Sequence, residues 1–214
     1  MRDNRMFTIC TAFVADGKLK EYIKRLPESE KIFNREIGVL FRKFFQCQIQ
    51  PHIIWAITEW VNGEAHHDAA QSILKTRRDD RFASIGFGPE PYFEIFCKAE
   101  EEFSVGNFSN SYGIFIVVHT LINDKVQKKY LKLRRERFEE VKENLQWMRI
   151  FHNISNNSEF VAFLGFSNEE QFNQLRQLGD FYLEEYLFTG IEEPLGMSCV
   201  ANYNQFICKL ISPV

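Results

Sequence analysis

Asn62 and Asn168 lie 106 positions apart, and the same spacing relates residues along most of the chain. It pairs Trp60 with Phe166, Ile9 with Phe115, Ala56 with Ala162, Glu64 with Glu170 and Phe93 with Cys199. One offset that aligns a first strand, a third strand, a second helix and a last strand predicts one supersecondary unit used twice in tandem. Two units of about 100 residues each account for the length.

The first unit reads in order as follows. Met6 to Val14 alternates Phe7, Ile9 and Phe13 with Thr8, Cys10 and Ala12, the period of a strand. Asp16-Gly17 opens a short helix that Pro27 is expected to stop, with polar linker from Glu28 to Arg35. Ile37 to Gln50 reads as a long strand, and Pro51 marks a tight turn into a strand from His52 to Trp60. Asn62 caps a helix running to about Arg77, and the loop SIGFGPEP leads to a strand from Tyr92 to about Glu100. The order is β-α-β-β-α-β, the ferredoxin-like arrangement.

Ser104 to Ser111, SVGNFSNS, is the expected linker, giving domains over residues 1–103 and 112–214. The same order then recurs. Gly113 to Leu121 is a strand, and Asn123-Asp124 caps a helix to about Glu143, with Val126, Tyr130, Leu133 and Val141 on one side. Leu145 to Ile154 and Glu159 to Phe166 form a hairpin, Asn168 opens a second helix, and Ser198 to Leu210 closes the sheet. The predicted fold class is α+β: two ferredoxin-like repeats whose bare sheet faces pack together within one chain.

Composition narrows the function classes. A net charge of −3 excludes a protein that works mainly by bulk attraction to nucleic acid. The basic run from Lys125 to Arg137 is compensated by Glu136, Glu139, Glu140 and Glu143, the pattern of a solvated helix face. No apolar run approaches the roughly 20 residues of a membrane span. The N-terminus lacks a secretory h-region. Five cysteines form no C-x-x-C pair, and four lie in predicted strands, where cysteine acts as a small apolar residue. A cytoplasmic protein with reduced thiols is the expectation. Twenty-two phenylalanines point to thick aromatic packing or an apolar pocket.

The histidines are the candidates for chemistry. His66 and His67 point about 100° apart on a helix, so only one faces a given spot. His66 falls near the centre of the stripe made by Ala65, Ala69, Ala70, Ile73 and Leu74, and by the repeat it answers to Phe172. It is expected to point inward, either as a hydrogen-bonded core histidine or as an acid–base group. His119 answers to Phe13 and His152 to Gln46, and both read as satisfied strand histidines. No histidine spacing forms a metal motif, and no cofactor-binding loop or nucleophile elbow is present, so no metal or cofactor is expected. Trp55, Trp60 and Trp147 read as packing residues.

A β-α-β-β-α-β unit whose third strand ends in Trp, followed by a capped E-A helix, resembles the dimeric α+β barrel superfamily. Within it, T-E-W-V-N-G-E-A (Thr58 to Ala65) is similar to the strand-to-helix junction of the antibiotic biosynthesis monooxygenase group. The resemblance spans about residues 6–103 and 112–211, and implies an intramolecular version of a barrel that the family builds from two chains. It places Trp60 at the wall of a pocket between sheet and helices, with His66 beside it. It implies a cofactor-independent monooxygenase acting on a hydrophobic aromatic molecule, with Trp60 and His66 as catalytic candidates and self-association left open. Haem-degrading relatives use an Asn on the first strand and a helix histidine about nine residues after the Trp; here FTICTAF has no Asn and the helix position is Ala69. The alternative is a non-catalytic protein of the same fold that binds an apolar ligand or a partner chain. The sequence leaves both readings open.

Overall fold

The computed structural model describes residues 5–33, 38–77, 93–122, 127–177 and 200–211. Among them lie eight strands, all paired antiparallel, and four helices, so the class is α+β. The chain divides into two compact units, Met1–Lys98 with Lys209–Val214, and Ala99–Cys208.

In the first unit, β1 (Met6–Phe13), α1 (Leu19–Phe33), β2 (Val39–Cys47), β3 (Ile53–Trp60), α2 (Gly63–Arg77) and β4 (Phe93–Ala99) follow in order. The strands lie in the order β4-β1-β3-β2. Even-numbered residues of β1 and β3 face the helices, because successive side chains of a strand point to opposite faces. Cys10, Ala12, Ile54 and Ala56 pack with Leu26 of α1, while Met6 and Trp60 pack with Ala69 of α2. Burying each such large side chain contributes about 2 kcal/mol.

Pro27 does not stop α1, which runs six residues past it. A proline removes one helical N–H and crowds the preceding turn. Leu26, 2% exposed, anchors the helix on the sheet at that point, and Arg25 and Glu21 pair one turn back at 2.8 Å. β2 is shorter than expected, since Gln48 to Gln50 already turn toward β3. The loop SIGFGPEP, the Asn123-Asp124 cap, Val126 and Cys199 lie outside the described residues.

In the second unit, β5 (Ile114–Ile122), α3 (Gln127–Val141), β6 (Trp147–Asn153), β7 (Glu159–Phe166), α4 (Glu169–Gln177) and β8 (Val200–Leu210) follow in the same order of types. The strand order is β8-β5-β7-β6. Ile116, Val118, Met148, Ile150, Phe160, Ala162, Leu164 and Phe166 form the helix-side core with Tyr130, Phe138 and Phe172. The segment ahead of β5 is tied down: Phe103 is fully buried, Val105 bridges to Met148, and Arg149 donates to the carbonyls of Val105, Met148 and Gly106 at 2.7–2.8 Å.

The ladders of the two units correspond rung by rung, with a register that the constant offset does not capture. Phe41 opposite Glu59 answers to Trp147 opposite Gly165, which keeps the spacing of 106 for β2 with β3. Met6 opposite Trp60 answers to Ile114 opposite Phe166, so the first strands are offset by 108. Phe7 opposite Cys97 answers to Phe115 opposite Cys208, so the last strands are offset by 111. His119 therefore answers to Thr11 rather than Phe13, and Phe93 to Asn204 rather than Cys199. The drift arises because the stretch from the first strand to the second is two residues longer in the first unit, and the stretch from the third strand to the last is five residues longer in the second.

Candidate functional site

The junction of β3 and α2 sets the position of His66. Asn62 accepts a hydrogen bond from the Ala65 amide at 2.8 Å, the expected N-cap bond, which starts the helix one residue after Asn62. One turn on, His66 stands over the sheet. Its ring meets Trp60 edge-on at 5.0 Å and Phe96 edge-on at 5.0 Å, with planes at 87° and 81°. Its side chain is 17% exposed, while His67 points to solvent. The helix and sheet thus bring His66 and Trp60 together. Trp60 is buried and its indole N–H donates to Thr8 Oγ1 at 3.1 Å. The side chains of Ile73 and Leu74 lie outside the described residues.

A carboxylate joins this pair. His66 Nε2 lies 3.9 Å from Glu94 Oε1, and the same oxygen accepts from the buried Cys10 thiol at 3.3 Å. Burial pulls the His66 imidazole below its ordinary 6.5; Glu94 opposes that and His67 adds to it. A histidine so placed is neutral at pH 7 and carries a basic lone pair. On the neighbouring rung, Arg42 donates to Thr58 Oγ1 at 2.7 Å, and its guanidinium lies 4.9 Å from the Phe44 ring centroid.

The corresponding rungs of the second unit are apolar except at Gln205. Phe96, Thr8, Thr58 and Arg42 form one row across the first sheet, and Ile207, Ile116, Leu164 and Met148 occupy it in the second. Glu94 and Cys10 answer to Gln205 and Val118. The cap recurs, with Asn168 accepting from the Gln171 amide at 3.0 Å, so His66 answers to Phe172 and Trp60 to Phe166. The edge-on contact of Trp60 and His66 becomes an edge-on contact of Phe166 and Phe172 at 5.8 Å. Apart from the Gln205 position, the same layout is filled by apolar residues. Polar groups buried under the first unit's helices cost desolvation that the second unit avoids.

Sequence reasoning singles out His66 and Trp60 as candidates but not Glu94, Cys10, Thr8, Thr58 or Arg42, which the structure places near them. A polar residue opposite an apolar one at the 106 spacing was the available signal for Thr58 against Leu164 and Arg42 against Met148. Ala69, the position a haem-degrading histidine would take, is a buried methyl packed with Trp60 and Met6, and offers no ligand. Among the described residues no three His, Cys, Asp or Glu side chains converge as metal ligands, and no helix is long and apolar enough to cross a membrane.

The two strand histidines also meet carboxylates. His119 Nε2 lies 2.7 Å from Glu159 Oε1, and Asn153 donates to Glu159 Oε2 at 2.6 Å, on the sheet face away from the helices. Burial pushes the Glu159 carboxyl up, but hydrogen bonds from His119, Asn153 and Asn156 and the His119 charge bring it below its ordinary 4.5. His152 Nδ1 lies 3.2 Å from Glu100 Oε1, and its ring stacks on Phe160 at 4.8 Å. The surface hollow lined by Glu169, Glu170, Asn173 and Gln174 of α4 holds none of these groups.

The sequence matches no protein-family model and no curated protein. Solved structures are similar over the whole chain. A proposed monooxygenase of Lactobacillus acidophilus is similar at TM-score 0.64 and 15% identity, covering 98% of this chain and 95% of its own. A proposed monooxygenase of Fusobacterium nucleatum is similar at TM-score 0.72 and 10% identity, covering 99% and 94%. An anthrone oxidase-like protein is similar at TM-score 0.72 and 6% identity, covering 99% and 93%. These are proteins of the dimeric α+β barrel superfamily. At such identities the likeness is one of fold, and the chain has the α+β fold of that group.

Proposed function

We propose that the chain is a cofactor-independent monooxygenase acting on a flat, hydrophobic aromatic molecule bound between the first unit's sheet and α2. The observation that carries this reading is the contrast between matched rungs. Where the second unit packs Phe172, Ile116, Leu164 and Met148, the first keeps His66, Thr8, Thr58 and Arg42. Stability alone gives no reason for that exchange. The fold shared with proposed monooxygenases and an anthrone oxidase-like protein supports the same direction.

In this reading His66 takes a proton from an activated ring C–H of an anthrone-type substrate. The carbanion reduces O₂, a C–O bond forms, and the resulting hydroperoxide loses water to leave a ketone. One CH₂ and one O₂ become one C=O and one H₂O, so atoms and electrons balance without a further reductant. Trp60 and Phe96 supply aromatic edges against the substrate plane. The two units are read as copies of one ferredoxin-like unit, the first holding the working site.

The test is O₂ uptake with anthrone, followed in parallel by quinone absorbance. One O₂ consumed per quinone formed, abolished by His66→Phe with unchanged circular dichroism, is expected. A second reading, ligand binding without turnover, is favoured by the tight seat of His66 between two rings. It predicts saturable anthrone binding with no O₂ uptake above the uncatalysed rate.

A further inference from the structure

We infer that Glu94 is a positioning residue for His66: it holds the imidazole as the Nε2–H tautomer and leaves Nδ1 as the basic atom. The inference rests on the reading of His66 as a base and names which nitrogen does the work. Three observations carry it. Nε2 faces Glu94 Oε1 at 3.9 Å, longer than a hydrogen bond but close enough for the carboxylate charge to favour an N–H on that side. The Trp60 and Phe96 edges at 5.0 Å restrict rotation of the ring, so the two nitrogens cannot readily exchange places. Cys10, by donating to the same Oε1 at 3.3 Å, holds the carboxylate as an acceptor.

Nδ1 makes no hydrogen bond among the described residues, and the side chain is 17% exposed, so Nδ1 is the nitrogen left for a substrate proton. Among the described residues the titratable groups that act on the ring are Glu94 on β4, which faces it, and His67 on α2 itself, which points to solvent; Cys10 on β1 reaches it through Glu94. Gln205 occupies the rung that Glu94 holds in the first unit, so a glutamine there is compatible with the sheet. Glu94→Gln is therefore the variant of choice, removing the charge while keeping shape.

The experiment is nitrogen-15 NMR of the imidazoles across pH, in the wild-type protein, Glu94→Gln and Cys10→Ala. In the wild type, His66 is expected to show a protonated Nε2 and an unprotonated Nδ1 throughout the neutral range. Glu94→Gln is expected to mix the tautomers and weaken proton binding by His66 about tenfold. Cys10→Ala should keep the wild-type tautomer. A Glu94→Gln protein whose His66 tautomer and titration match the wild type overturns the inference, even if anthrone is still oxidised. A fixed tautomer and shifted titration without any O₂ uptake would leave the positioning role intact and remove the proposed reaction.

Discussion

Glu159 accepts hydrogen bonds from His119 at 2.7 Å and from Asn153 at 2.6 Å, on a strand face whose counterpart in the first unit is Thr11, Ile53 and Cys47. The polar contrast thus runs both ways, with different faces carrying it in the two units. Because the folded carboxyl lies below its ordinary 4.5, the unfolded chain takes up the proton first as pH falls. The stabilisation is full above about 4.5 and is lost as pH drops through the folded value. Glu159→Gln should cost about 2 kcal/mol at pH 7. Urea melts of both proteins from pH 7 to pH 3 should show that gap closing.

His66 gives a slope in a different window. Its folded value lies below 6.5, so the unfolded state binds a proton that the folded state refuses. Stability is therefore full above 6.5 and falls as pH drops toward the folded value. His66→Phe, which installs the residue found at the matched position Phe172, should remove this slope. Subtracting the variant's stability from the wild type's between pH 8 and pH 5 isolates the effect.

Trp60→Phe keeps an aromatic ring but deletes the N–H that Thr8 accepts. The loss of one buried hydrogen bond and part of a bicyclic ring should cost about 2 kcal/mol. Thr8→Val alone should cost less, because it keeps the whole bicyclic ring and opens no cavity. A double-mutant cycle on chemical unfolding would give their coupling.

Gly38 has φ +96°, a conformation that L side chains rarely adopt. A methyl there would also sit 2.5 Å from Ala65 Cβ and 2.9 Å from Val61 Cγ2. Gly38→Ala should cost about 3 kcal/mol. Since Ala65 adjoins His66, the His66 ring protons should shift in the same variant.

Much of the fold was legible because its signals are local. Strand alternation gave β1, β3, β5 and β7 nearly to the residue, and Asn62 and Asn168 announced both helix starts. Pro27 misled because a proline's local cost was weighed without the packing of Leu26 that carries the helix onward. His66 and Trp60 were visible from helical phase and from the family resemblance. Glu94 was not, since which face of β4 meets α2 depends on a register that no local pattern encodes. His119 was matched to the wrong residue because a fixed offset hides a two-residue insertion. A shift of two keeps every side chain on its own face, which is why the error left the alternation intact.

The Arg149 guanidinium, closed on the carbonyls of Val105, Met148 and Gly106, changes what the glycine- and serine-rich stretch beside it means for handling the protein. Composition marks the whole of Ser104 to Ser111 as a place for proteases to enter. Cleavage requires the backbone to straighten into an enzyme's groove, and a segment with its carbonyls already engaged resists that. Nicking should begin beyond Gly106, leaving Val105 on the earlier fragment, where the Arg149 hydrogen bond and the bridge to Met148 still hold it.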